Sequence, residues 1–251
     1  MRVLVATAVP VEGDAVARAF DGVPMGRLSL RSVEAVPGVA GSDSGRPPVA
    51  AGTTIDVLAV GVGPALAAAS TASALTAAAL EGAPYDLVVS AGIAGGFQPG
   101  APLGSLVVAD EITVADLGAE TADGFLPVTE LGFGGVSHRP PETLVRDVVA
   151  ATGARPGAVL TVSTVTGTAE RAAELRARHP RALAEAMEGF GVAEAAALHR
   201  TPVLELRAVS NPVGPRDRAA WRIGEALTAL TAGFGKLAPA LESWNPHDPT
   251  E

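Results

Sequence analysis

Three polar residues stand at positions where a site for chemistry could form. Glu12, Glu188 and Asn211 each come directly after a short apolar run that predicts a buried strand. In an α/β protein the carboxyl ends of neighbouring strands meet along one edge of the sheet, where ligands bind. Two carboxylates around a sugar ring suit the cleavage of a glycosidic bond, one handling the water and the other supporting the positive charge of the transition state.

Each of these residues also has a purely structural explanation. Glu12 and Glu188 precede or open predicted helices, where a carboxylate is favourable in the first turn. Asn211 stands before Pro212, as expected of a residue that forms a turn. Considered singly, the structural explanation is the default, and only the meeting of all three in one pocket favours chemistry.

Composition restricts the class of protein. The 251 residues carry a formal net charge of -9 and no cluster of basic residues, so we expect neither nucleic acid nor an anionic membrane surface as partner, but a small molecule. The chain has no Cys, which excludes thiol chemistry and fits a reducing compartment, so we expect the cytoplasm. The four histidines lack metal-ligand spacing, and no metal is expected. They are His138, His179, His199 and His247.

The pattern of strands and helices predicts one α/β domain at residues 1–242, with a flexible loop at 37–53 and a disordered tail at 243–251. Residues 57–80 are uncharged and long enough to span a membrane, but Gly61 to Pro64 interrupts them, so we predict a strand, a turn and a helix there. A second glycine-rich turn is predicted at 91–96 and a long loop at 116–141. Neither glycine-rich segment has the spacing of a dinucleotide fingerprint or a P-loop.

Five segments in order carry a resemblance to a known superfamily. They are A-x-x-x-E at 8–12, GVG at 61–63, SAGIAGG at 90–96 with Asp110 and Glu111 after it, AMEGFGVAE at 186–194 and RAVSN at 207–211. Together they resemble the nucleoside phosphorylases and nucleosidases over nearly the whole chain. Within that superfamily the sequence is similar to hydrolases of methylthioadenosine and adenosylhomocysteine, and most similar to the futalosine hydrolases of menaquinone biosynthesis.

The resemblance implies a fold and a set of roles. It implies a three-layer α/β/α sandwich with a central mixed β-sheet, no cofactor, and a homo-oligomer, either a dimer or a dimer of dimers. Glu12 would activate the water, Glu188 would bind the ribose hydroxyls above Met187, and Asn211 would contact the purine. The remaining residues expected to bind substrate are Gly92, Ile93, Phe190 and Asp217, the last of which would orient the amide of Asn211.

Departures from the superfamily pattern decide between its subgroups. Phosphorylases carry a phosphate-binding Arg and a Ser where this chain has Ser90 and Ile93, so the resemblance implies hydrolysis. Adenine-specific nucleosidases carry Asp at the position of Asn211. We therefore expect hydrolysis of futalosine to hypoxanthine and dehypoxanthine futalosine. The alternatives are a methylthioadenosine/adenosylhomocysteine nucleosidase and a non-catalytic nucleoside-binding module. The pair of glutamates argues against the binding module, because binding alone needs no group that activates water.

Overall fold

The predicted strands and helices alternate along the chain in the computed structural model, which describes residues 1–20, 25–28 and 53–244. The predicted flexible loop at 37–53 lies outside the described residues except for Thr53. The predicted tail lies outside them from residue 245 onward, whereas Ser243 belongs to the last helix.

Strands and helices follow one another as short units. The strands are β1 (Arg2–Thr7), β2 (Met25–Leu28), β3 (Thr54–Ala59), β4 (Leu87–Gly96), β5 (Leu106–Val114), β6 (Gly118–Thr121), β7 (Gly124–Pro127), β8 (Ser137–His138), β9 (Arg155–Thr161), β10 (Ala182–Ala186) and β11 (Val203–Pro212). The helices are α1 (Pro10–Arg18), α2 (Pro64–Leu80), α3 (Glu142–Thr152), α4 (Ala169–Arg178), α5 (Gly189–Leu198) and α6 (Ile223–Ser243), with a 3-10 helix at Arg218–Ala220.

The central sheet is mixed, as expected. Its strands run in the order β10-β9-β5-β11-β4-β1-β3-β2, with β8 added to β5. β1 is parallel to β3 and β4, and β4 is parallel to β11, whereas β11 is antiparallel to β5. The carboxyl ends of β1, β4 and β11 therefore lie side by side, which is the arrangement that the candidate site requires.

Both faces of the sheet are covered by helices. In β1, Leu4 and Ala6 pack in the core beneath α2 and α5, and Val3 and Val5 pack in the core beneath α1, α3 and α6. Successive residues of a strand point to opposite faces, so the continuous apolar run of β1 follows from burial on both sides.

The structure adds a ring of strands to the expected sandwich. Beyond Ala91, β4 leaves β1 and pairs antiparallel with β10 at Gly95 and Gly96. Since β10 also pairs with β9, the strands β4, β11, β5, β9 and β10 close into a ring, and this part of the sheet is a partial barrel. A Cβ at Gly96 would lie 2.5 Å from Val209 Cγ1, so the absence of a side chain permits this close packing.

Two loop predictions are wrong. Residues 91–96 were expected to form a glycine-rich turn, but they continue β4 because β10 and β11 pair with them on both sides. Residues 116–141 were expected to form a long loop, but they contain the β6–β7 hairpin and the short strand β8. Arg178 of α4 stacks on the ring of Phe125 at 4.3 Å and attaches this hairpin to the domain.

The uncharged stretch at 57–80 divides into the end of β3, a turn and α2, as predicted. Gly61 and Gly63 in the turn have φ angles of 89° and 92°, which favour glycine. In the part of the chain that the structure describes, no helix is both long enough and apolar enough to cross a membrane.

Candidate active site

Glu12 lies in the first turn of α1, just beyond the end of β1, and is 3% exposed. Its Oε2 accepts hydrogen bonds from the backbone N–H groups of Ala8 and Val9, at 3.0 and 3.2 Å. Its Oε1 accepts one from the backbone N–H of Ile93, at 2.9 Å. The carboxylate therefore caps its own helix, as the structural explanation expected, and also joins that helix to the end of β4.

Glu188 lies between β10 and α5 and is 5% exposed. Its Oε1 accepts a hydrogen bond from the N–H of Gly63, at the start of α2, at 3.2 Å. The positive end of that helix stabilises a carboxylate. A Cβ at Gly191 would collide with the carbonyl oxygen of Pro64, so the glycine after Phe190 lets α5 pack against α2 and holds Glu188 at this place.

Arg207 forms an ion pair with Glu188 and lies near enough to Glu12 to lower its pKa. It is 1% exposed and rises from the middle of β11. Its Nη1 lies 3.5 Å from Glu188 Oε2, its Nη2 donates to Ser90 Oγ at 3.0 Å, and its Nε donates to Glu205 Oε1 at 2.8 Å. One buried guanidinium thus fixes groups from β4, β11 and the β10–α5 junction in a single cluster.

Gly92 leaves the space in which Glu12 and Arg207 approach each other. A Cβ at this position would lie 2.5 Å from Glu12 Oε1 and 2.9 Å from Arg207 Nη1. Gly189 does the same for Glu205, because a Cβ there would collide with both carboxylate oxygens. These two glycines allow charged side chains to pack directly against backbone.

The cluster contains three carboxyl groups, Glu12, Glu188 and Glu205, and one guanidinium. Burial raises the pKa of Glu12, with Glu188 acting in the same direction, while Arg207 and the backbone N–H groups of Ile93 and Val9 lower it. Burial also raises the pKa of Glu205, against the influence of Arg207. A group with a raised pKa accepts a proton more readily, which is what a base that activates water requires.

Asn211 lies at the end of β11, opposite Gly95 of β4. Its Oδ1 accepts a hydrogen bond from the Ser210 hydroxyl at 2.9 Å, and its Nδ2 donates to the Pro212 carbonyl at 3.0 Å. Asp217 was expected to orient this amide. Its carboxylate instead accepts from the N–H of Ala219 at 3.1 Å and caps the 3-10 helix, so the neighbours of Asn211 in sequence hold the amide.

The other expected residues occupy different surroundings. Met187 is half-buried, and its N–H donates to Glu188 Oε2 at 3.3 Å. Ile93 is half-buried beside the core under α6. Phe190 is buried in the core, where its ring contacts that of His138 at a centroid distance of 5.4 Å. The structure thus places five of the residues expected from the sequence near one another. They are Glu12, Gly92, Ile93, Met187 and Glu188.

Sequence reasoning gave no role to Arg207 or Glu205. A signal for them exists, because two charged residues at alternate positions interrupt the apolar run of β11 and must point to the same face. Charges in a strand buried on both sides need partners. The partners are one another and Glu188.

Comparison with known proteins agrees with this arrangement. The sequence profile of the phosphorylase superfamily matches residues 2–237, and the chain belongs to that superfamily. Its similar relatives include futalosine hydrolases, as the motifs predicted. The futalosine hydrolase of Streptomyces coelicolor is 71% identical over 255 residues, which cover 99% of this chain and 100% of the relative. That of Acidothermus cellulolyticus is 43% identical, covering 94% of this chain and 90% of the relative.

Solved structures of the superfamily share the fold. A 5′-methylthioadenosine/S-adenosylhomocysteine nucleosidase from Neisseria meningitidis aligns with a TM-score of 0.69 and 20% identity, covering 97% of this chain and 99% of that one. A futalosine hydrolase of Helicobacter pylori aligns with a TM-score of 0.69 and 17% identity, covering 96% and 97%. The mixed sheet between helices is therefore the fold of this superfamily.

Proposed function

We propose that this protein hydrolyses the N-glycosidic bond of futalosine, releasing hypoxanthine and dehypoxanthine futalosine, in the futalosine route of menaquinone biosynthesis. The assignment of futalosine as the substrate rests on the 71% identity to the futalosine hydrolase of Streptomyces coelicolor over 99% of the chain. The reaction type is supported by two buried carboxylates near Arg207: Glu188 is its ion-pair partner, and Glu12 lies within its electrostatic influence. We also propose that the protein acts in the cytoplasm as a homo-oligomer, as the resemblance implies.

In the proposed reaction Glu12 takes a proton from the attacking water. Burial raises the pKa of Glu12 and so increases its basicity, while the charge of Arg207 keeps the carboxylate form accessible. Glu188, held by the N–H of Gly63, accepts hydrogen bonds from the ribose hydroxyls. Its negative charge also favours the positive charge that develops on the sugar as the bond to the base breaks.

Replacement of Glu188 by Gln is expected to damage both binding and catalysis. The amide keeps the size but loses the charge that would support the ribose hydroxyls and the cationic transition state. Hydrogen bonds to charged groups contribute about 1.5–3 kcal/mol, so kcat/KM should fall by roughly 10- to 100-fold, with KM rising and kcat falling. Steady-state kinetics with futalosine measure this, and an unchanged KM would remove the ribose role.

Asn211→Asp is expected to shift the preference for the base. A 6-oxopurine presents an acceptor at O6 and, as it leaves protonated, a donor at N7. An amide matches both, whereas a carboxylate has acceptors only. The change should improve the ratio of kcat/KM for 6-amino-6-deoxyfutalosine over futalosine by about tenfold, since an unpaired buried polar group costs about 1–3 kcal/mol.

The ratio is the measurement to use for Asn211→Asp, because the new carboxylate also faces the Pro212 carbonyl and will lower both efficiencies. Both substrates should be assayed in the wild type and the variant. A ratio that stays the same would mean that Asn211 does not recognise the base.

A panel of substrates tests the proposed function. The protein should be incubated with futalosine, methylthioadenosine and inosine, and the released base identified by chromatography. We expect hypoxanthine from futalosine at the highest kcat/KM. Adenine from methylthioadenosine at a comparable kcat/KM would favour the adenosyl nucleosidases, and no turnover of any nucleoside would favour a binding module.

A further inference from the structure

Glu185 is a buried carboxylate in β10 that the proposed hydrolysis does not use. It is 4% exposed and lies in an otherwise apolar strand. Its Oε1 accepts a hydrogen bond from the N–H of Thr166 at 2.8 Å, and its Oε2 accepts one from the hydroxyl of the same residue. Both hydrogen bonds come from one neutral neighbour, which is a small compensation for burying a charge.

The carboxylate retains capacity for a ligand. Each carboxylate oxygen can accept two hydrogen bonds, and each oxygen of Glu185 receives one from Thr166. Burial raises the pKa of Glu185, while the two Thr166 donors and the charge of Arg171 lower it. A ligand N–H directed at Glu185 would therefore stabilise the ionised form and would itself be held strongly.

Glu185 and Asn211 face each other across a glycine. Gly95 of β4 pairs with Glu185 of β10 on one side and with Asn211 of β11 on the other. Paired residues of adjacent strands carry their side chains on the same face, and strands lie about 4.8 Å apart, so the two Cα atoms are roughly 10 Å apart.

The two side chains line one pocket. Glu185 and Asn211 border it together with Gly95, Thr166 and Trp221. A Cβ at Gly95 would lie 3.3 Å from Asn211 Nδ2 and 2.9 Å from Val213 Cγ2, so any larger residue would narrow the pocket beside the amide. The pocket therefore presents the Glu185 carboxylate and the Asn211 amide to the same space.

We infer that Glu185 accepts a hydrogen bond from N1–H of a 6-oxopurine while Asn211 contacts N7 and O6 of the same base. This inference rests on the proposed function and deepens it. The order of groups around the purine edge is N7, O6, N1, so a base held at N7 and O6 by Asn211 extends N1 toward β10. In a 6-oxopurine N1 is a donor, but in adenine it carries a lone pair, which a carboxylate repels. Glu185 thus excludes adenine and accepts hypoxanthine.

Exchange of Glu185 for Gln tests this recognition. The amide lacks the negative charge that favours N1–H of a 6-oxopurine, so kcat/KM for futalosine should fall by about 10- to 100-fold. The amide can also donate to the N1 lone pair of a 6-aminopurine, so the ratio of kcat/KM for 6-amino-6-deoxyfutalosine to that for futalosine should rise at least about tenfold. Glu170→Gln, an exposed glutamate in the first turn of α4, is the matched control and should change neither value. A wild-type ratio in Glu185→Gln overturns the inference.

Inhibition of the wild type by free bases provides a test that needs no variant. Hypoxanthine should inhibit at least about tenfold more tightly than 1-methylhypoxanthine, in which the N1 donor is removed, and more tightly than adenine. Equal inhibition by the methylated base contradicts the role of Glu185, even if Glu185→Gln fails to fold. A wild type that does not cleave futalosine refutes the proposed function instead, so the two failures are distinguishable.

Discussion

Glu12→Gln is expected to lower kcat for futalosine by about 100- to 10,000-fold, which is the usual loss when a general base is removed. The amide keeps the size of the side chain but cannot take a proton from water. In the wild type, three backbone N–H groups donate to the two carboxylate oxygens. In the variant, a backbone N–H faces the NH2 group of the new amide instead of an acceptor oxygen, so we also expect the midpoint of thermal unfolding to fall.

The loss of turnover must be separated from the loss of stability. Inhibition by hypoxanthine should remain close to wild type, because the base site does not involve Glu12. Glu142→Gln is the matched control, since Glu142 is also a first-turn glutamate but is exposed at the start of α3, and it should keep full activity. Near-normal kcat in Glu12→Gln would assign the activation of water to another group.

Arg207→Met is expected to destabilise the protein by about 3–5 kcal/mol, the usual cost of breaking a buried ion pair and leaving its partner uncompensated. The fully buried Glu205 would lose the donor to Oε1, and its Oε2 already has no hydrogen-bond partner among the described residues. Chemical denaturation measures the free energy of unfolding.

The double variant Arg207→Met, Glu205→Leu distinguishes the two roles of this cluster. Replacing a buried ion pair by apolar residues is often neutral, so the double variant should recover much of the lost stability but little of the activity. Equal instability of the single and double variants would contradict the pairing of these residues.

Activity in the double variant should also depend differently on pH. Arg207 lowers the pKa of Glu12, against the larger effect of burial. Since the base acts when ionised, kcat/KM falls as pH drops below the pKa of Glu12. Removing Arg207 raises that pKa further, so the acidic limb of the profile should move to higher pH. An unmoved acidic limb would mean that Arg207 does not influence the catalytic base.

Much of the site could be predicted because its residues follow strands that have local signatures. The buried run of β1 and the helix α1 placed Glu12 at the sheet edge, and the Met187-Glu188 turn before α5 placed the second carboxylate there. Thr168 is of a residue type favoured before the first turn of a helix, and it caps α4, where its hydroxyl accepts from the N–H of Arg171 at 3.1 Å. These features were predictable because they depend on residues that are close together in the sequence.

The errors have a common physical cause. Residues 91–96 have the composition of a turn, but they are a strand because β10 pairs with them from about 90 residues further along the chain. No local preference reports such pairing, since tertiary contacts determine strand formation as much as residue type does. The same pairing places Glu185 and Asn211 on either side of Gly95, so the part of the fold that sequence reasoning missed is the part on which the proposed base pocket depends.

The most direct test of futalosine hydrolysis is product analysis in ¹⁸O-labelled water, with and without phosphate. Where the resemblance places the phosphate-binding residues of phosphorylases, this chain has Ser90, whose hydroxyl accepts from Arg207, and the apolar Ile93. We predict that hypoxanthine is released at the same rate in both conditions, and that one ¹⁸O atom enters the hydroxyl at C1′ of dehypoxanthine futalosine. A rate that depends on phosphate, with a phosphorylated sugar product, would contradict this account.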